Sequence, residues 1–143
     1  MAVTYDKIAF TQVEKGLRDS INNDFNNVYI SQDFKMRGTE CIRINLLNST
    51  NLETTNAYEQ REYNVEIRYY FNTKILGDNV NDAVKAKVDR LRKKLIDIQV
   101  NVPNWAYMDI DEIEYGVEDE ENEENSVYIA QLTLSLVNHN PLN

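Results

Sequence analysis

The segment Gln60–Asn72 constrains the fold of this chain more than any other. Its side chains alternate between a largely apolar set and a more polar one, which is the period of a β-strand with one buried face. The first set is Tyr63, Val65, Ile67, Tyr69 and Phe71, and the second is Asn64, Glu66, Arg68 and Tyr70. Roughly 13 residues would span about 43 Å, far more than a usual strand. We therefore expect a bulge that bends the strand or an arm that projects from the body.

Similar patterns predict the other strands. Glu40–Leu47 places Ile42, Ile44 and Leu46 on a packed face and Cys41, Arg43 and Asn45 on a wet face. Val28–Ile30 reads as a short strand, and the polar stretch Asn48–Asn56 as a turn or loop. Trp105–Val117 and Val127–Val137 predict a closing antiparallel hairpin. The tail Asn138–Asn143 is polar and is expected to be loose.

Helical spacing occurs in two segments. Between Thr4 and Asp24, apolar residues recur at intervals of three and four, with Thr4 as the expected N-cap. These residues are Phe10, Val13, Leu17 and Ile21. A second helix is expected after a cap at Asp78 or Asn79, and it should pack across the sheet. Its apolar positions are Val80, Val84, Val88, Leu91, Leu95 and Ile98.

The predicted order of elements is α-β-β-β-α-β-β. It indicates an α+β fold in which two helices pack on one face of a mainly antiparallel sheet. With 143 residues, the chain has the usual length of one domain and should bury about 68–70% of its unfolded surface. We therefore expect one domain over residues 1–143.

A run of six acidic residues within seven positions lies at the tip of the predicted hairpin. The acids are Glu118, Asp119, Glu120, Glu121, Glu123 and Glu124. The formal net charge of −9 falls to −3 without them, so most of the excess charge is local. The run lacks the residue spacing of a common calcium loop. It is either a solvated tip that prevents strand pairing with another chain or a charged rim or lumen in an oligomer.

The residue pattern offers little for catalysis, so we expect no enzyme and no cofactor or metal site. The single histidine, His139, lies in the predicted tail, and the single cysteine, Cys41, is expected to be a small buried hydrophobe. Paired carboxylates for glycoside hydrolysis are conceivable, but their residues are more simply exposed strand positions: Asp109, Asp111, Glu112 and Glu114. Neither a signal peptide nor a membrane span is predicted.

The second helix carries six basic residues off its apolar stripe: Lys85, Lys87, Arg90, Arg92, Lys93 and Lys94. Such a surface suits nucleic acid phosphates or an acidic protein partner. Because no turn-helix signature accompanies it, a solvated face or a protein interface is favoured. The chain also has nine tyrosines, a residue enriched at interfaces.

In this element order the chain resembles the bacteriophage tail terminators, also called tail completion or tail-to-head joining proteins. The segments that carry the resemblance are Leu17–Ile21, Tyr63–Phe71, Leu91–Leu95 and Tyr128–Leu136. The resemblance implies a structural virion protein, assembled in the host cytoplasm, that forms a hexameric ring in the neck. Its implied partners are the major tail tube protein and the head connector, with phage DNA passing through the lumen without specific binding.

Within that resemblance, the acidic run is a candidate lumen or docking loop, and the basic helix is a candidate contact between subunits. Two alternatives stay open: another neck or minor tail component, and a stand-alone α+β module that binds protein or RNA.

Overall fold

A five-stranded mixed sheet with two helices forms the structure, which is a computed structural model. It describes residues 8–22, 24–25, 27–30, 40–73, 80–98, 105–117 and 127–141. The strands are β1 (Val28–Ile30), β2 (Glu40–Thr54), β3 (Tyr58–Asn72), β4 (Trp105–Tyr115) and β5 (Val127–Pro141). The helices are α1 (Lys15–Ile21), which continues a π-helical segment Ile8–Glu14, and α2 (Val80–Ile98). The α+β class predicted from the sequence is confirmed.

The strands lie side by side in the order β1-β2-β3-β5-β4. β1 pairs with β2 in parallel, with Val28 opposite Ile42, while the other three pairings are antiparallel. The sheet is therefore mixed. Side-chain alternation determines which face a residue occupies, but it carries no signal for the direction of the neighbouring strand.

The long predicted strand exists and is uninterrupted. β3 pairs residue for residue with β5 from Tyr58 opposite Pro141 to Asn72 opposite Val127. The predicted bulges occur instead in the partner β2, where the register shifts after Leu46 and again after Asn51. A β-bulge inserts an extra residue that bends its strand and leaves that residue unpaired.

One face of the sheet and both helices share a single apolar core. β3 and β5 contribute alternate residues, and α2 contributes one stripe, as the spacing predicts. The central members are Val65, Ile67, Phe71, Val84, Val88, Leu91, Leu95, Leu132, Leu134 and Leu136. A smaller cluster of Cys41, Tyr70 and Ile129 lies apart from it, with Tyr29, Val117 and Val127 packed around. Cys41 is buried as expected, although its face was predicted to be wet.

Three further expectations from the sequence are wrong. Phe10 is 55% exposed although Val13, Leu17 and Ile21 on the same predicted stripe are buried. It lies in the π-helical segment, where bonds from i to i+5 give less rotation per residue than in an α-helix, so the side chain drifts off the stripe. The predicted N-cap residues of the two helices lie outside the described residues; they are Thr4 and either Asp78 or Asn79.

The second and third errors concern strand length. β2 continues to Thr54 through the predicted loop, and the turn is confined to the residues that follow. There the Thr55 hydroxyl accepts hydrogen bonds from the backbone N–H groups of Ala57 and Tyr58, both at 3.1 Å. The predicted loose tail is strand as far as Pro141. In both cases pairing with β3 overrides a composition that favours loops.

Candidate functional site

Half of the predicted basic surface of α2 is used within the chain itself. The Lys87 Nζ atom lies 2.6 Å from a carboxylate oxygen of Glu40, and the Lys94 Nζ atom lies 2.6 Å from a carboxylate oxygen of Asp24. The Arg90 guanidinium lies over the ring of Phe25, 5.3 Å from its centroid. These three cations therefore fasten α2 to the segment after α1 and to the start of β2, which the sequence alone did not indicate.

Glu40 also has a partner on β3, because the buried Tyr69 hydroxyl donates a hydrogen bond to its second carboxylate oxygen. Burial, and then the hydrogen bond to this carboxylate, raise the pKa of Tyr69 far above its usual range. For Asp24, the hydrogen bond from Lys94 lowers the pKa of the carboxyl. The Glu40 contact joins α2 to the sheet, and the Asp24 contact joins α2 to the segment after α1, so both explain the architecture more than a reaction.

The remaining predicted cations are Lys85, Arg92 and Lys93, and all three are exposed. Arg92 lies 3.6 Å from Asp89 one turn earlier, an exposed pair that contributes little to stability. It also lines a groove of about 470 Å³ between α2 and β4. The groove is bounded by Arg92 and Ile96 on the helix and by Met108 to Ile113 on the strand. This is the part of the predicted surface that is open to a partner.

The acidic run at 118–124 lies outside the described residues. The strands on either side of it pair as predicted, with Tyr115 opposite Ala130, and the N–H groups of Gly116 and Val117 donate to the Ile129 carbonyl oxygen. Gly116 has a φ of +73°, the left-handed conformation that suits glycine. The described part of the hairpin therefore extends to Val117 on one side and starts at Val127 on the other.

The four acids of β4 are all exposed and form an acidic strip along the strand. Asp109 and Glu112 lie opposite Ser135 and Thr133 of β5, and Glu114 lies opposite Gln131. Asp111 is the extra residue at a register shift and accepts a hydrogen bond from the Ser135 hydroxyl. Within the described residues no group of three or more His, Cys, Asp or Glu side chains could hold a metal ion.

Two strand edges have no strand partner among the described residues. β4 ends the sheet on one side, and on the other side β1 covers only Ile42–Ile44 of the much longer β2. Among the large hydrophobic residues that are exposed in the described chain, four lie on these edge strands and a fifth lies on α2 beside the groove. They are Leu47 and Leu52 on β2, Tyr107 and Tyr115 on β4, and Ile96 beside the groove. Unpaired edges with exposed apolar side chains are typical of surfaces where chains associate.

The far end of β5 was missed by sequence reasoning. Asn138 and Asn140 are completely buried on the side of the strand that carries Leu136, and Asn138 lies opposite Trp105 of β4. His139 is not free in solvent, because its ring lies 4.8 Å from that of Tyr58 and its Nδ1 atom 3.3 Å from the Gln60 amide nitrogen. A continued alternation beyond Val137 was the available signal.

No protein-family model matches this sequence, and the search of curated proteins finds no match either. No helix in the described part of the chain is both long and apolar enough to cross a membrane.

Proposed function

We propose that this protein is a structural virion protein of a tailed phage, a tail terminator that caps the tail tube as a hexameric ring and joins it to the head connector. The element order, with a helix before the first strands and a second helix before a closing hairpin, supports this assignment. It is the order that the resemblance to tail terminators rests on.

The observation that carries the proposal is that the sheet has two unlike edges without a strand partner among the described residues. The β4 edge is acidic and lies beside a groove, whereas the β2 edge beyond β1 carries Leu47, Leu52 and a single charge, at Glu53. A ring requires two different surfaces on each subunit that meet head to tail. A two-fold dimer instead uses one surface that complements itself.

The acidic run keeps its place in the proposal as the lining of the lumen or as a docking rim. Six carboxylates on each subunit would repel DNA phosphates and allow the genome to slide through the ring without specific binding. Replacing the acids between Glu118 and Glu124 by Ser and Asn should leave the melting temperature nearly unchanged while impairing DNA ejection. Full infectivity of that variant would exclude the lumen role.

The test of the terminator function uses tail tube protein polymerised in the presence and absence of this chain. We expect added chain to shorten the tubes and to appear as a single ring at one tube end in electron micrographs. Light scattering during size-exclusion chromatography should show either a hexamer or a monomer that becomes ring-shaped only on the tube. Tubes of unchanged length with no bound chain would contradict the proposal.

The same experiment separates the competing assignments. A ring that binds the connector but leaves tube growth unaffected would identify another neck or minor tail component. A chain that stays monomeric at all concentrations and binds neither tube nor connector would favour a stand-alone binding module.

A further inference from the structure

We propose that copies of this chain associate by antiparallel pairing between β4 of one copy and the β2 segment Leu47–Thr54 of the next. The partner at each free edge is thus a second copy of this chain. The inference rests on the proposed ring, since it assigns the head-to-tail contact of that ring to two particular edges.

The strand directions determine the sense of this pairing. β3 runs opposite to β2, β5 opposite to β3, and β4 opposite to β5, so β4 runs opposite to β2 within one sheet. If the next copy continues the sheet with its helices on the same side, its β2 lies antiparallel to the β4 that it meets. Antiparallel ladders are slightly more stable per residue than parallel ones. Each such contact leaves one β2 edge and one β4 edge uncovered at the two ends of the assembly, so further copies can add until the ring closes.

The beginning of the available β2 segment is set by two contacts within the chain. β1 covers the outer edge at Ile42–Ile44, and the Glu14 carboxylate accepts a hydrogen bond from the Leu46 backbone N–H. Beyond Leu46, all residues except Ser49 are exposed as far as Thr54. Eight residues extend about 27 Å at ~3.4 Å per residue. The eleven residues of β4 are long enough to pair with the whole segment.

Apolar side chains are present on both sides of the proposed joint. Leu47 and Leu52 are 50% and 49% exposed, and both are the extra residues at the two bulges of β2. Across the joint, Tyr107 and Tyr115 are exposed on β4, and Ile96 borders the groove between α2 and β4. This groove is where an exposed leucine of the neighbouring edge would be buried. Pairing of the two edges therefore covers apolar surface as well as backbone groups.

The charges favour this pairing over a symmetric one. Pairing β4 with β4 would bring four acids of one copy against four acids of the other, and like charges directly opposite each other are destabilising. The β2 segment presents a single acid, Glu53. The acids of β4 therefore disfavour pairing of β4 with β4 but allow pairing of β4 with the β2 edge. Pairing of β2 with β2 would leave the groove and the tyrosines of β4 uncovered.

Cross-linking tests the assignment directly. Two variants, Leu52→Cys and Tyr107→Cys, are treated with a bismaleimide separately and as a mixture. The protein concentration is one at which light scattering detects association. If the free chain is a monomer, the reaction is carried out on chain bound to tail tubes. We expect a cross-linked dimer mainly in the mixture. Wild-type chain is the control, because its single Cys41 is buried and should stay unreacted. Cross-linked dimers in a sample of either variant alone would overturn the proposal. The absence of cross-links in a mixture that does associate would also overturn it, as would a chain that never associates.

A second set of variants distinguishes this interface from the terminator function. Leu52→Asp and Tyr107→Asp should each abolish association without changing the melting temperature by more than a few degrees, while Asp82→Lys on the exposed start of α2 should leave association intact. Variants that still associate and still cap tubes would reject the interface and retain the terminator function. Association through these edges without capping of tubes would retain the interface and reject the terminator function.

Discussion

At the scale of single residues, the best-defined contact in the molecule is the one that holds Glu40. Tyr69 reaches it from β3 and Lys87 reaches it from α2, so one carboxylate connects the sheet to the helix. Neither contact was predicted, because the partners are 29 and 47 residues away in sequence. Periodicity identifies buried positions, but it does not identify which polar side chains meet.

Replacing Tyr69 by Phe should lower the free energy of unfolding by about 1.5–3 kcal/mol at neutral pH, the usual range for a hydrogen bond to a charged group. Chemical denaturation measures this loss. Tyr107→Phe is the matched control, since that side chain is 44% exposed and should change stability by less than about 0.5 kcal/mol. Equal stability of the two variants would show that the contact with Glu40 contributes nothing.

The same tyrosine predicts a dependence on alkaline pH. The pKa of Tyr69 is raised in the folded state, so the folded chain holds this proton more tightly than the unfolded chain does. Its contribution is fully present below the unfolded pKa of about 10 and is lost as the pH rises above it. Denaturation curves between pH 9 and about 11.5 should show a steeper loss for the wild type than for Tyr69→Phe. Parallel curves would contradict this assignment.

At the scale of elements, the existence of the strands was predicted from alternation, but the lengths of β2 and β5 were underestimated. β5 continues four residues beyond its predicted end at Val137, and there its inward positions change from Leu136 to Asn138 and Asn140. Asparagine is typical of loops, whereas the spacing of these two buried asparagines is that of a strand. The spacing is the correct indicator here, because β3 supplies the backbone hydrogen-bond partners of this segment.

This end of β5 yields a prediction about Asn140. Neither its Nδ2 nor its Oδ1 atom has a hydrogen-bond partner among the described residues, and the side chain is fully buried. An apolar residue of similar size removes the desolvation penalty of the amide. Asn140→Leu should therefore raise the free energy of unfolding by about 1 kcal/mol, measured by denaturant titration. A fall in stability would reveal that the amide makes a hydrogen bond in solution.

At the scale of the whole molecule, both the fold class and the packing of α2 were accessible from the sequence, whereas the sheet order was not. Composition and periodicity contain no information that places β5 between β3 and β4. For the candidate site, the sequence identified the charges but not which of them are already used: Lys87, Arg90 and Lys94 act within the chain. The free edges appear only once the strands are ordered.

Hydrogen exchange should show how stability is distributed across this sheet. Amides of β3 between Tyr63 and Phe71 are paired within a strand that has neighbours on both sides and a buried face, so they should exchange slowest. Amides of β2 from Asn51 to Thr54, at an exposed edge, should exchange fastest. Addition of tail tube protein should slow the β2 amides if that edge becomes covered in a ring. Uniform exchange across the two strands would contradict this distribution.

The position of β5 between β3 and β4 also bears on how the chain reaches its native state. β2 and β3 are adjacent in sequence and can pair as soon as both have left the ribosome. Among the described strands β5 comes after β4, so it pairs with β3 only after α2 and β4 have been made. Until then the apolar side of β3 has an open edge, which is the state in which chains are prone to aggregate. This open edge of β3 is covered only when β5 pairs with it.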